Sequence, residues 1–85
     1  MGPDVSPDGR WFAYVSDESG RAELYVRQFA DPGAGKWQVS VDGGSEPLWA
    51  HSGRELFYRT LRGDMMAAEV VPGATFSTRT PRVRQ

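Results

Sequence analysis

The sequence predicts an all-β chain built from two similar four-stranded antiparallel units, and three observations carry that expectation. Glycine contributes 10 and proline 6 of the 85 residues, spread as punctuation rather than gathered in one block. The segments between breaks are short and rich in aromatic and β-branched residues, with no sustained 3.6-residue periodicity. The order of turns and apolar runs also occurs twice, with Gly9-Arg10 and Gly53-Arg54 lying 44 residues apart.

Taken along the chain, Ser6-Pro7-Asp8-Gly9-Arg10 reads as a tight turn. Proline presets φ, Asp8 can bond the backbone ahead of it, and Gly9 can take positive φ. Trp11-Phe12-Ala13-Tyr14-Val15 follows as a nearly continuous apolar run, suited to a strand with apolar neighbours on both faces. Ser16 to Arg21 is a polar hairpin loop, and Glu23 to Phe29 is the next strand. Asp31-Pro32-Gly33 marks a loop over 30–35. Trp37-Gln38-Val39-Ser40-Val41 alternates as an edge strand should. After Asp42-Gly43-Gly44 the chain starts again. Pro47-Leu48-Trp49 is a short strand, Ala50-His51-Ser52-Gly53-Arg54 a turn, and Leu56-Phe57-Tyr58 an apolar strand. Leu61 to Asp64 makes a hairpin, Met65 to Val71 returns, and Thr75 to Thr78 is the expected last strand.

At the 44-residue offset Ser6-Pro7-Asp8 falls on Ala50-His51-Ser52, Phe12 on Leu56, Ala13 on Phe57 and Tyr14 on Tyr58. The hairpin glycines Gly20 and Gly63 follow one residue out of step, as a shortened loop requires. A period of this length with about four short strands per unit is the signature of β-propeller blades. Residues 1–44 are therefore expected to form a first blade and 45–80 a second, with 81–85 a flexible C-terminal tail.

Ser6-Pro7-Asp8-Gly9-Arg10-Trp11-Phe12-Ala13-Tyr14 resembles the core of TolB-like, WD-type propeller repeats, a Ser-Pro-Asp-Gly turn leading into an apolar strand. Gly43 to Trp49 is similar to the segment that enters the next inner strand of such blades. Ala50 to Tyr58 is a degenerate second copy in which His51 and Ser52 replace the Pro-Asp pair, weakening that turn. The resemblance runs from residue 3 to about 80. It implies a repeat used as a scaffold or a gate: in TolB-like propellers, in prolyl-oligopeptidase-like serine peptidases and in propellers attached to bacterial kinases. It also implies a periplasmic or extracytoplasmic setting.

Composition narrows the chemistry. With no cysteine, thiolate metal sites, thiol nucleophiles and redox switching are excluded. A formal charge of −1 gives no electrostatic reason to expect nucleic acid. Residues 1–78 hold all 11 acids and 7 bases, leaving Arg79, Arg82 and Arg84 for a solvated terminus. No apolar run approaches the ~18–20 residues of a membrane span. No basic-then-apolar leader opens the segment, so an export signal would lie outside it.

No catalytic, cofactor or metal site is expected. His51 is the single histidine and sits where the sibling turn has Pro7, without a nucleophile elbow around Ser6, Ser40 or Ser52. Asp17-Glu18 and Asp64 read as solvated hairpin tips rather than calcium ligands. Gly43-Gly44 lacks the lysine and helix of a phosphate loop, and Met65-Met66 reads as strand packing. Trp11 and Trp49 belong to core strands. Trp37, on the outer strand, is the candidate partner contact. Ser6, Pro7, Asp8 and Gly9, with His51, Ser52 and Gly53, are the repeat-signature turns.

Two blades share one internal interface and leave two apolar flanks uncovered, which marks an association surface. The expected function is a non-catalytic module for protein–protein interaction, whose partners are additional blades or further copies stacked head to tail. Three copies would close a six-bladed ring and four an eight-bladed one. The alternatives are the gating propeller segment of a serine peptidase or related hydrolase, and a stand-alone fragment that assembles into rings.

Overall fold

The computed structural model describes residues 4–84. Among these residues eight short strands form two four-stranded antiparallel sheets, each with its strands in chain order. The first sheet holds β1 (Asp4–Val5), β2 (Trp11–Ser16), β3 (Glu23–Gln28) and β4 (Lys36–Gln38). The second holds β5 (Ser45–Trp49), β6 (Glu55–Arg59), β7 (Met65–Glu69) and β8 (Arg82–Val83). One turn of 3-10 helix, Pro32–Ala34, interrupts the β3–β4 connection. Among the described residues no helix is long and apolar enough to cross a membrane.

The core lies between the sheets. Trp11, Ala13, Leu24 and Val26 from the first sheet meet Trp49, Leu56, Tyr58 and Ala68 from the second. Strands of this length expose most of their apolar area when isolated, so stacking supplies the stability that a single sheet lacks. Each central strand is apolar on consecutive positions because its second face also carries large side chains. In β2 the buried residues are Trp11 and Ala13, while Phe12 and Tyr14 on the opposite face are half-buried.

The structure corrects the strand assignment at four places. Residues before Ser6 were not expected to form a strand, yet Asp4 pairs with Ala13 and Val5 with Phe12. The fourth strand of the first sheet ends at Gln38, because Val39 and Ser40 are buried in succession and the alternation breaks. Ser40 turns inward to accept a hydrogen bond from Leu24 N (2.8 Å) and to donate one to Glu23 Oε1. Thr75–Thr78 is not the last strand, and only Thr78 makes a β-bridge, to Val70. Phe76 leaves the sheet plane and fills the space between sheets, its ring edge-on to Trp11 (5.4 Å) and Trp49 (6.0 Å).

The last correction concerns the expected tail. Arg82 and Val83 pair with Ala67 and Met66 as β8. Two of the three terminal arginines are also engaged: Arg79 Nε bonds Glu69 Oε2 (3.3 Å), and the Arg84 guanidinium lies 4.4 Å from the Phe57 ring centroid. The methylene stems and planar heads of arginine cover apolar surface while staying wet, which a count of charges does not reveal.

Candidate interaction surfaces

The two signature turns have the same backbone bonds. Ser6 N donates to Trp11 O (2.8 Å) and Gly9 N to Ser6 O (2.9 Å); Ala50 N donates to Glu55 O and Gly53 N to Ala50 O, both at 2.9 Å. Gly9 and Gly53 take φ of 75° and 74°, a region that favours glycine. In the first turn Asp8 Oδ1 accepts from the Ser6 hydroxyl (2.7 Å) and from Arg10 N (3.0 Å). The Ser6 hydroxyl and then the Arg10 amide hold the Asp8 carboxyl below its ordinary value. Pro7 and Gly53 approach each other, the position of a Gly53 Cβ falling 3.8 Å from Pro7 Cδ.

The second turn keeps its geometry without a Pro-Asp pair. Ser52 Oγ takes the place of the Asp8 carboxylate and accepts from Arg54 N at 3.2 Å. What is lost is the cross-link made by Ser6 Oγ, which also accepts from Trp11 N (3.1 Å) and has no counterpart at Ala50. His51 is exposed in this turn. Among the described residues no three His, Asp or Glu side chains converge as a metal cage.

Trp37 is 38% exposed, and its indole Nε1–H donates to Thr78 Oγ1 at 3.3 Å. It thereby bridges the first sheet to the segment carrying Phe76. Trp37, Trp11, Val26, Lys36 and Phe76 line a cleft of about 310 Å³, open to solvent.

One carboxylate is deeply placed. Glu23 is 2% exposed and accepts from Arg21 Nε (2.8 Å), from the Ser40 hydroxyl and from Gly43 N (3.1 Å). Burial pushes its carboxyl up, but the donors at Ser40, Arg21 and Gly43 together outweigh burial and leave it below its ordinary value. Ser40 and Gly43 thereby tie β3 to the β4–β5 connection, while Arg21 comes from the β2–β3 loop. Sequence reading missed this lock, whose signal was a glutamate opening an apolar strand.

The two outer sheet faces also carry apolar and aromatic side chains, with Val5 on the first and Leu48 on the second exposed. On the first sheet Val5, Phe12, Tyr14, Tyr25 and Arg27 share one face by strand register. Tyr14 stacks on Tyr25 at 5.8 Å, and Phe12 lies 5.5 Å from Tyr14 and 6.2 Å from Phe29. Arg27 and Lys36 sit over the Tyr14 and Tyr25 rings, at 5.8 and 5.1 Å from their centroids. On the second sheet Leu48, Glu55, Phe57, Ala67 and Glu69 share the outer face. A hollow of about 260 Å³ there is lined by Phe57, Ala67, Glu55, Arg82 and Arg84.

Strand register makes the two faces of one sheet equivalent to opposite faces of the other. The pair Ala13 and Val26 corresponds to Phe57 and Ala67, and Phe12 and Arg27 to Leu56 and Ala68. Likewise Asp4 and Val5 correspond to Leu48 and Trp49. The inner face of the first sheet is thus the counterpart of the outer face of the second, and the reverse also holds. The sheets stack head to tail, not face to equivalent face. Compared with known proteins, the chain matches no family model and no curated protein.

Proposed function

We propose that this chain is a non-catalytic pair of β-propeller blades that serves as a protein–protein interaction scaffold, its two outer sheet faces being the working surfaces. The observation that carries the reading is the head-to-tail stacking. Each uncovered face is the counterpart of a face that is buried inside the molecule, so each is shaped to receive another sheet of the same kind. The aromatic row Phe12-Tyr14-Tyr25 supports it, since Phe12 and Tyr14 remain half-exposed beside exposed Val5 on that face.

A tandem chain tests the reading. Between β4 and β5 the connection is Val39 to Gly44. Joining two copies end to end places Arg84, Gln85, Met1, Gly2 and Pro3 between β8 and the next β1, a comparable length. In a stacked repeat, stability is approximately the sum of unit and nearest-neighbour terms, so the extra interface raises the melting temperature of the tandem. A tandem that melts as two independent copies, at the temperature of the single chain, would refute the scaffold reading.

A further inference from the structure

We propose that the partner of this surface is a second copy of the chain: the outer face of the second sheet of one copy docks on the outer face of the first sheet of the next. The proposal rests on the scaffold reading and adds the identity and register of the partner.

The register follows from the internal interface. There Trp49 lies against Asp4, its backbone N donating to Asp4 Oδ2 (3.2 Å) and its Nε1–H to Asp4 O (3.0 Å). Replacing each residue by its counterpart puts Val5 of one copy against Leu48 of the other. Both are apolar and solvent-facing in the single chain, at 41% and 61% exposure. The hydrogen-bonded contact inside the molecule becomes an apolar contact between molecules. The rest of the joint follows the same substitution. Leu56 and Tyr58, which share the core with Ala13 and Val26 inside, are replaced by Phe12 and Tyr14, which meet Phe57 and Ala67 of the neighbour. The hollow over Phe57 and Ala67 lies in the path of these aromatic rings.

Charge leaves the pairing to shape and apolar contact. Glu55 and Glu69 are directly opposed cross-strand partners on the receiving face, and arginines of the same chain already attend them: Arg79 bonds Glu69, and Arg82 and Arg84 line the hollow beside Glu55. Arg27 and Lys36 on the docking face keep partners of their own, Tyr14 and Glu18.

A heterologous contact of this kind has a distinctive signature. Val5→Asp blocks one face and Leu48→Asp the other, and both positions are exposed, so the fold is retained in each. Sedimentation and native mass spectrometry of the 9.4 kDa chain are read at ~100 μM, about the Kd range reached by weak interfaces. The wild-type chain forms species of higher mass, each variant alone is a monomer, and an equimolar mixture of the two gives a one-to-one heterodimer. A monomeric wild type overturns the proposal, as does a mixture that stays monomeric. A homodimer of either variant also overturns it, because that requires like faces to pair. If the wild type is monomeric while the tandem chain is stabilised, the faces dock only when tethered, so association of separate copies fails and the scaffold reading survives. If neither associates nor gains stability, both fail.

Discussion

Phe76→Ala separates a strand residue at a sheet margin from a wedge between sheets. Phe76 is 8% exposed and its ring meets both Trp11 and Trp49 edge-on. Removing a buried Phe typically costs ~3–5 kcal/mol, combining lost transfer energy with the cavity left behind. The two tryptophans are large and anchored, Trp49 by its hydrogen bonds to Asp4, so the site collapses poorly and the upper part of that range is expected. A chain of this size has a total stability of roughly 4–13 kcal/mol, so the variant loses a large share of it. At ~4–8 °C per kcal/mol, the melting temperature falls by roughly 16–40 °C. Thermal melts by far-ultraviolet circular dichroism, with urea unfolding monitored through the tryptophans, give both numbers. Thr75→Ala, at an exposed neighbour, serves as the control and shifts stability by less than ~0.5 kcal/mol. A Phe76→Ala cost below ~1 kcal/mol would show that the ring does not wedge the sheets apart and that the inter-sheet packing is wrong.

Glu23→Gln leaves the Arg21, Ser40 and Gly43 donors without a carboxylate and costs ~2–4 kcal/mol by urea unfolding, as expected for buried donors deprived of a charged acceptor. Because the folded Glu23 carboxyl lies below its ordinary value of 4.5, its contribution is present above that pH and is lost as pH falls through the lowered value; Glu23→Gln therefore flattens the acid limb of the stability profile. Burial raises the Tyr58 hydroxyl from 10.0 to about 12, with Glu23 and Asp42 adding to the shift, so stability present below pH 10 declines towards pH 12, and Tyr58→Phe removes that decline. Gly44→Ala places a Cβ 2.5 Å from Ser40 Oγ and 3.1 Å from Leu24 Cβ, both in fully buried residues, and costs ~1–3 kcal/mol in the same unfolding assay.

The parts of the fold visible in the sequence are those encoded by local chemistry. The two turns stand out because Gly9 and Gly53 take positive φ and are flanked by residues that bond the backbone. The central strands stand out because Trp11 to Val15 and Leu56 to Tyr58 are apolar on successive positions. The strands missed, Asp4–Val5 and Arg82–Val83, are two residues long and carry no pattern of their own. They exist because β2 and β7 offer them free edges, a tertiary cause that a short window does not contain. Phe76 was misplaced for the opposite reason: Thr75-Phe76-Ser77-Thr78 alternates well, yet a gap between two tryptophans outweighs a short edge pairing. Glu46, at φ 53° before Pro47, is likewise set by the bulge that shifts the β5–β6 register between Ser45 and Leu48. The equivalence of opposite faces was hidden until register was known, since a one-residue slip would exchange every residue between the two faces.

That register also accounts for the unequal treatment of the two sides of each sheet. Inside the molecule, aromatic and aliphatic groups meet each other, and Trp11 at the margin of the core has Arg10 over its ring at 4.8 Å. On the outer faces three rings are overlaid by cations, half-buried Tyr14 by Arg27, buried Tyr25 by Lys36 and half-buried Phe57 by Arg84. Each such overlay contributes ~0.5–1 kcal/mol at an exposed site, and its stem hides apolar surface from water. A core residue at the same positions would do neither without a covering sheet. The Lys36 ammonium is further tethered to Glu18, and the Arg27 guanidinium donates to the Tyr14 hydroxyl (2.8 Å) and to Pro32 O (2.7 Å). In the proposed joint a docking sheet displaces these side chains from the rings and exchanges the overlays for ring-to-ring packing. The gain per joint is therefore the difference between two favourable arrangements, smaller than the buried area alone suggests. Added salt weakens the overlays that the free chain gives up in the proposed joint, so such an association would not fall with ionic strength as one driven by facing charges does.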